Sequence, residues 1–195
     1  MSQDTDCHST VSYAIIGMGS NLSSAVGCPE KTLQAALEQL DAVGFGPDLV
    51  SNFYETPCFP IGSGPDFVNA AARIPTESSP EDLLKTLHEV ERYFGRERKV
   101  RWSARCLDLD LLAFDNRIVP NREGFQFWHD LTSSQQITLS PDQLILPHPR
   151  IQDRSFVLIP FADIAPEWRH PVLGKTVAEM RDELVQADRD AIKVL

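Results

Sequence analysis

The hydrophobic and polar positions in the first half of the chain follow the two periods of regular secondary structure. A short apolar run at residues 13–18, followed by the turn sequence GSN, predicts a first β-strand. Residues 29–42 carry apolar side chains at helical spacing, with a proline near the first turn and a glycine beyond the end, which predicts a helix. Two further strands are expected at residues 49–55 and 67–74, and ETPCFPIGSGPD between them is a loop.

A second helix follows the third predicted strand. Ser79 is placed as its N-cap and Pro80 as its first residue, and Glu81 with Ser78 predicts a capping box. Apolar residues at helical spacing then continue to Gly95, which is expected to end the helix.

A fourth strand is predicted at residues 106–114, turning into a short partner strand at residues 117–119. The order βαββαβ is that of a ferredoxin-like α+β fold, with an antiparallel sheet, both helices on one face and the other face open for a site. Residues 120–143 show no clear period and are expected to form an inserted excursion. C-terminal additions include a short helix and then a surface helix at residues 177–187.

Length and composition narrow the class of protein. The 195 residues fit a single domain at residues 12–195 after a polar tail at residues 1–11. No apolar run of about 18 residues and no signal peptide is recognisable, so a cytoplasmic protein is expected. The four cysteines lack the spacing of a zinc site or a disulfide framework, and the net charge of −10 argues against nucleic-acid or membrane partners.

Two carboxylates interrupt the apolar stretch RCLDLDLL. Because side chains alternate along a strand, Asp108 and Asp110 share one face, where water, arginine or a metal cation must compensate their charges. Such a pair suits a hard cation bound by oxygen. A half-exposed edge strand with a solvated acidic face explains this stretch equally well, and the stretch alone leaves both interpretations open.

Positive charge is concentrated directly before this pair. Six of the 18 lysines and arginines lie within residues 92–105, which indicates a local anion site on an acidic protein. For Arg92 and Arg96 a solvated helix end that complements the helix dipole is an equal alternative. Arg105 lies beside the carboxylates, which favours the anion site.

Four segments occur in register: GMGSNL; ETP followed by PDFVNAA; GRERKVRWSARCLDLDLL; and LPHPRIQDRSFVLIP. Together they resemble the 6-hydroxymethyl-7,8-dihydropterin pyrophosphokinase family over about residues 12–175. The resemblance implies transfer of a pyrophosphoryl group from ATP to a pterin alcohol in folate biosynthesis, giving the pterin diphosphate and AMP. It also implies two Mg²⁺ ions as cofactors.

The resemblance further implies roles for individual residues. Asp108 and Asp110 bind the Mg²⁺ ions and form the catalytic set together with Arg96 and Arg105. The implied ATP-binding residues are Arg96, Arg98, Trp102, Arg105, His148 and Arg154. The implied pterin-binding residues are Thr56, Pro57, Phe67, Asn69 and Phe156.

Simpler roles stay open for several of these side chains. Trp102 fits a packing aromatic, and Phe67 and Phe156 fit ordinary core residues. Arg150 is a weaker candidate for a phosphate contact, because a surface salt bridge explains it equally well. Glu91 matches an acidic position of the family. It either supports the site from behind or is an exposed carboxylate on a helix.

The chain departs from the family pattern in two places. Phe67 stands where tyrosine is common, and the loop between Arg98 and Arg105 is one residue shorter than in some members, which leaves open whether Lys99 or Arg101 faces the site. The 120–143 excursion is also longer than in compact members.

Two other functions are weighed against the enzyme. A regulatory module that lost the chemistry is disfavoured because both aspartates and both catalytic arginines are present. A palm-type nucleotidyl transferase needs another acidic ligand, which the strand YAIIGM lacks. We expect small-molecule substrates, a monomer, and no nucleic acid or membrane; contact with other folate-pathway enzymes is left open.

Overall fold

The computed structural model describes residues 11–58, 62, 64–95 and 105–195. Its strands are β1 (Ser12–Ser20), β2 (Leu49–Val50), β3 (Tyr54–Thr56), β4 (Phe67–Thr76), β5 (Asp108–Phe114) and β6 (Lys193–Val194). Its α-helices are α1 (Pro29–Ala42), α2 (Pro80–Tyr93), α3 (Arg122–His129), α4 (Ser133–Thr138), α5 (Ser155–Ile164), α6 (Val177–Glu183) and α7 (Gln186–Asp190). None of the helices in these ranges is long and apolar enough to cross a membrane.

The strands form one antiparallel sheet in the order β5-β1-β4-β3-β6, with β2 also paired to β4. The four strands β5, β1, β4 and β3 stand in the order of a split βαβ arrangement. The predicted α+β, ferredoxin-like order is therefore confirmed. The predicted strand at residues 49–55 is two short strands, because Ser51 turns its hydroxyl to the N–H of Ala71 between them.

One face of the sheet is buried under α1 and α2. Ala14, Ile16 and Met18 of β1 pack there against the apolar sides of both helices, which contribute Leu33, Leu40, Leu83 and Leu87. The Ser79 hydroxyl accepts the N–H of Asp82 at the start of α2. Ser79 is thus the N-cap as predicted, but the predicted Ser78–Glu81 capping box is wrong.

The opposite face is only partly open, which corrects the prediction that helices cover one face alone. Helix α5 packs Leu158 and Phe161 against Ile15 of β1 and Leu112 of β5. This end of the face is apolar, so covering it with α5 removes apolar surface from water and stabilises the fold. Asp108 and Asp110 lie at the start of β5, before Leu112, and are partly exposed.

The C-terminal third differs from the prediction in detail. The excursion contains α3 and α4, whose N-caps are the side chains of Asn121 and Thr132. Val119 forms an isolated bridge with Leu146, so the predicted partner strand beside β5 is wrong. The single helix predicted at residues 177–187 is interrupted between α6 and α7.

Candidate active site

Strand β1 carries the centre of the site. Gly19 pairs with Asp108 of β5 on one side and with Asn69 of β4 on the other, and Gly17 pairs with Asp110. Directly paired residues of antiparallel strands point to the same face, so a carboxylate and an amide flank the glycine. A Cβ atom on Gly19 would lie 2.8 Å from Asn69 Oδ1, so a side chain there would displace the amide.

Two arginines neutralise the acidic side of this centre. Arg105 Nη1 donates to Asp108 Oδ2 at 2.5 Å. Burial lowers the pKa of the Arg154 guanidinium, while the charges of Asp110 and Asp108 act in the opposite direction. Arginine stays protonated at neutral pH, so both guanidinium groups place positive charge near the two carboxylates.

His148 lies beside the same charges. Its backbone N–H donates to the carbonyl oxygen of Leu112 in β5 at 2.7 Å, and its Nδ1 accepts the N–H of Arg150 at 3.1 Å. Burial, reinforced by the charge of Arg154, lowers the pKa of His148 to about 3. The ring is therefore neutral at pH 7 with its proton on Nε2, which makes that atom a hydrogen-bond donor.

Arg150 is engaged elsewhere. Its guanidinium forms an ion pair with Asp153 in the short 3₁₀ turn that precedes α5. This contact matches the salt-bridge interpretation of Arg150 more closely than a phosphate contact.

The amide side of the centre contains the residues implied for the pterin. Asn69 is 7% exposed, and its Nδ2 donates to Thr56 Oγ1 at 2.6 Å. Phe67 lies on the same face of β4 as Asn69 and is half-buried, and Pro57 follows Thr56 at an exposed position. Phe156 is exposed in the first turn of α5, where the Arg154 guanidinium lies 5.7 Å from its ring centroid.

Glu91 of α2 supports the carboxylate strand from below. It is 1% exposed, so the interpretation as an exposed carboxylate is wrong. Its Oε1 accepts the N–H of Leu109 at 2.8 Å, between the two aspartates. Strand β5 is at the edge of the sheet, and Glu91 supplies a hydrogen bond that a neighbouring strand would otherwise make. The family resemblance offers support behind the site as one interpretation of Glu91, but it does not indicate the partner Leu109.

Part of the predicted set cannot be located. Arg96, Arg98 and Trp102 lie outside the described residues, as do Lys99 and Arg101. In the ranges that are described, no group of three or more histidine, cysteine, aspartate or glutamate side chains is placed to hold a metal ion. The two aspartates nevertheless fit Mg²⁺, which commonly takes one or two protein carboxylates and completes its shell with phosphate oxygens and water.

The sequence and the fold have counterparts in known proteins. The family model described as 7,8-dihydro-6-hydroxymethylpterin-pyrophosphokinase (HPPK) matches residues 15–166. The 2-amino-4-hydroxy-6-hydroxymethyldihydropteridine pyrophosphokinase of Synechocystis sp. is 32% identical over 179 residues, covering 91% of this chain and 77% of the relative. The enzyme of the same name from Methylorubrum extorquens is 34% identical over 181 residues, covering 92% and 96%.

Solved structures show the same fold at lower identity. The crystal structure of wild-type Plasmodium falciparum HPPK-DHPS superimposes with a TM-score of 0.65 at 15% identity, covering 95% of this chain and 44% of that chain. The present chain thus spans less than half of that protein. Since the family model matches residues 15–166, and relatives covered over 77% and 96% of their own length are 32% and 34% identical, the chain belongs to the 7,8-dihydro-6-hydroxymethylpterin-pyrophosphokinase family.

Proposed function

We propose that the chain carries out the reaction of its family at the face of β1 where Gly19 separates Asp108 from Asn69. Family membership makes it a pyrophosphokinase that acts on hydroxymethyldihydropterin in folate synthesis, with ATP as co-substrate. The observation that supports this location is the strand register, which sets a carboxylate pair and a buried amide on opposite sides of one glycine. The phosphates of ATP then lie on the carboxylate side and the pterin on the amide side.

The bond changes define what the site must stabilise. The hydroxymethyl oxygen of the pterin attacks the β-phosphorus of ATP and forms a new O–P bond. The bond between the β-phosphorus and the α–β bridging oxygen breaks, AMP leaves with that electron pair, and the hydroxyl proton passes to solvent. Catalysis of such a transfer consists mainly of in-line positioning and charge neutralisation.

The carboxylate side is proposed to bind the phosphates. Asp108 and Asp110 would hold Mg²⁺, which when bound neutralises phosphate charge and orients the transferring group. Arg105 and Arg154 contribute planar guanidinium donors suited to phosphate oxygens. His148, neutral and protonated on Nε2, donates one further hydrogen bond without adding charge. A neutral ring places no positive charge beside the carboxylates that would repel a metal cation.

The amide side is proposed to bind the pterin. Asn69 offers one carbonyl oxygen and one remaining N–H to the edge of a flat heterocycle, since its other N–H is held by Thr56. Phe67 and Phe156 supply aromatic faces for the ring, and Pro57 borders the pocket. Arg154 is the N-cap of α5 and Phe156 lies two residues later. The start of α5 therefore places a proposed phosphate contact beside a proposed contact to the pterin ring.

Arg96, Arg98 and Trp102 are proposed as additional ATP contacts on the family resemblance alone. We propose in addition that the chain acts as a monomer. The Pneumocystis carinii relative is named a folic acid synthesis protein and the Plasmodium relative HPPK-DHPS; both are longer than this chain. These names support folate-pathway enzymes as neighbours of this chain.

Release of AMP tests the proposal. The protein is incubated with ATP and Mg²⁺, with and without 6-hydroxymethyl-7,8-dihydropterin, and nucleotides are separated by chromatography. We expect AMP only when the pterin is present, and no ADP. ADP as the product would exclude pyrophosphoryl transfer, and ATP binding without any AMP would favour a module that lost the chemistry.

A further inference from the structure

The turn at the end of β1 contacts two chain segments that border the site from opposite sides. Ser20 and Asn21 are 0% and 4% exposed. The side chain of Asn21 makes one hydrogen bond to each segment: Oδ1 accepts the N–H of Arg105 at 2.7 Å, and Nδ2 donates to the carbonyl oxygen of Pro65 at 3.1 Å. One buried amide therefore joins segments that are far apart in the chain.

The first segment, at Arg105 and Cys106, borders the phosphate side of the site. The backbone N–H groups of Asn21 and Leu22 donate to the Arg105 carbonyl oxygen at 3.0 and 3.2 Å. Ser20 Oγ donates to the carbonyl oxygen of Cys106 at 2.6 Å. The Arg105 peptide is thus held through both its N–H and its C=O, which determines where its guanidinium meets Asp108.

The second segment, at Pro65 and Asp66, borders the pterin side of the site. Pro65 lies two residues before Phe67, the first residue of β4. Between them, Asp66 Oδ1 accepts the N–H of Cys58 at 3.2 Å, next to Pro57. The bond from Asn21 to Pro65 therefore determines how the chain enters β4 and, through Asp66, where the segment after Thr56 lies.

We infer that Asn21 is a positioning residue that sets the distance between the pterin side and the phosphate side of the site. An attack on the β-phosphorus needs the hydroxyl oxygen within a few tenths of an ångström of its in-line place, so an anchor shared by both sides bears directly on rate. The inference rests on the proposed function, because it assigns the two sides to the two substrates. Neither Asn21 nor Ser20 is proposed to touch substrate.

Three variants separate the contacts to the pterin side from those to the phosphate side. Asn21→Asp keeps an acceptor for the Arg105 N–H and loses the donor to Pro65, so the KM for the pterin should rise by about tenfold while the KM for ATP stays within about twofold. Ser20→Ala loses the bond to Cys106 and a longer bond to the Leu22 carbonyl oxygen at 3.4 Å, so kcat should fall by about tenfold with the pterin KM within about twofold. Asn21→Ala loses both bonds and should change both parameters.

A merely structural role predicts a different result. Loss of general stability would lower the thermal midpoint and reduce kcat equally for both positions, without separating pterin KM from kcat. The inference is overturned if Asn21→Asp leaves the pterin KM within about twofold of wild type, or if it and Ser20→Ala change the same parameter. Should the aspartate variant fail to fold, Asn21→Ala decides, because its pterin KM and kcat must both change.

Binding measurements keep this inference separate from the proposed function. Calorimetry of pterin binding in the presence of Mg²⁺ and a non-hydrolysable ATP analogue compares the same variants without turnover. Wild type that binds pterin but forms no AMP would contradict the proposed reaction, and the affinity of Asn21→Asp would still test Asn21. Wild type that binds no pterin would overturn both.

Discussion

At the scale of single residues, the two aspartates of β5 differ in their surroundings. Asp108 is paired with Arg105, whereas Asp110 lies opposite Gly17 and acts on Arg154 through its charge. Glycine at both facing positions of β1 lets the side chains of neighbouring strands approach: a Cβ atom would lie 3.3 Å from Leu112 at Gly17 and 2.8 Å from Asn69 Oδ1 at Gly19.

Substitution of Asp110 by asparagine tests the metal assignment with almost no change in volume. We expect turnover to fall by about 1000-fold, because loss of a metal ligand removes several kcal/mol of charge stabilisation. The free energy of unfolding should stay within about 1 kcal/mol of wild type, because a like-charge contact with Asp108 is also removed. Turnover is measured as AMP formation and stability by urea titration.

Asp142→Asn is the matched control, since Asp142 is exposed in a loop outside the proposed site. It should leave both quantities unchanged. Asp110→Asn with turnover within about threefold of this control would rule out Asp110 as a metal ligand.

At the scale of elements, an edge strand carries the two carboxylates of the proposed site, and the neighbouring helix α2 makes a hydrogen bond to the free side of that strand. Among the strands of the described ranges, β5 pairs with β1 alone. The buried carboxylate of Glu91 in α2 accepts the N–H of Leu109 on the free side. The position of α2 is thereby linked to the position of both aspartates.

Two substitutions of Glu91 separate this hydrogen bond from the charge. Glu91→Gln keeps an oxygen acceptor for the Leu109 N–H and should retain most of the turnover. Glu91→Ala leaves a buried N–H without that acceptor and should lower the free energy of unfolding by about 1–3 kcal/mol. Its kcat should fall as well, because the start of β5 is no longer held.

Urea titration and AMP formation measure both effects. Equal kcat values for the alanine and glutamine variants would show that the bond to Leu109 does not position the aspartates. A Glu91→Ala variant that is folded and has a low kcat would show that Glu91 positions the aspartates in addition to stabilising the fold.

At the scale of the whole molecule, a buried histidine joins the excursion to the C-terminal part. His170 is fully buried, and its ring lies 5.2 Å from that of Phe125 in α3 and 5.6 Å from that of Trp168. Its Nδ1 accepts the N–H groups of Val172 and Leu173. The excursion is therefore packed onto the molecule through one aromatic cluster.

Burial, with a smaller effect of nearby His129, lowers the pKa of His170 to about 4 from 6.5. The unfolded chain binds a proton below about pH 6.5 and the folded chain does not, so stability falls as the pH falls from there towards 4. The loss is about 2 kcal/mol at about pH 5.

His170→Asn removes this titration and retains an acceptor for the two N–H groups. We expect its free energy of unfolding to change less than that of wild type between about pH 7.5 and about pH 5, by about 2 kcal/mol. Other titrating groups are common to both proteins and cancel in the comparison. Parallel pH dependence of the two proteins would show that His170 is not buried as a neutral ring.

Much of the fold follows from local patterns. The bounds of α1 and the start of α2 agree with the predicted ones, because apolar spacing, proline and a capping serine are all local signals. The break between α6 and α7 and the short strand β6 were missed, since two-residue strands and single-turn helices depend on what they pack against.

The sequence by itself determined the kinds and order of the main elements and the shared face of Asp108 and Asp110, because a period of two or 3.6 residues encodes which side chains are buried. The motifs also indicated the family and most residues of the proposed site. Only the tertiary structure decided that Asp108 and Asn69 flank Gly19, that Glu91 is buried beneath β5, and that Asn21 joins both sides of the site. Strand register and interior hydrogen bonds result from packing the whole sheet between two layers of helices, and no local period reports them.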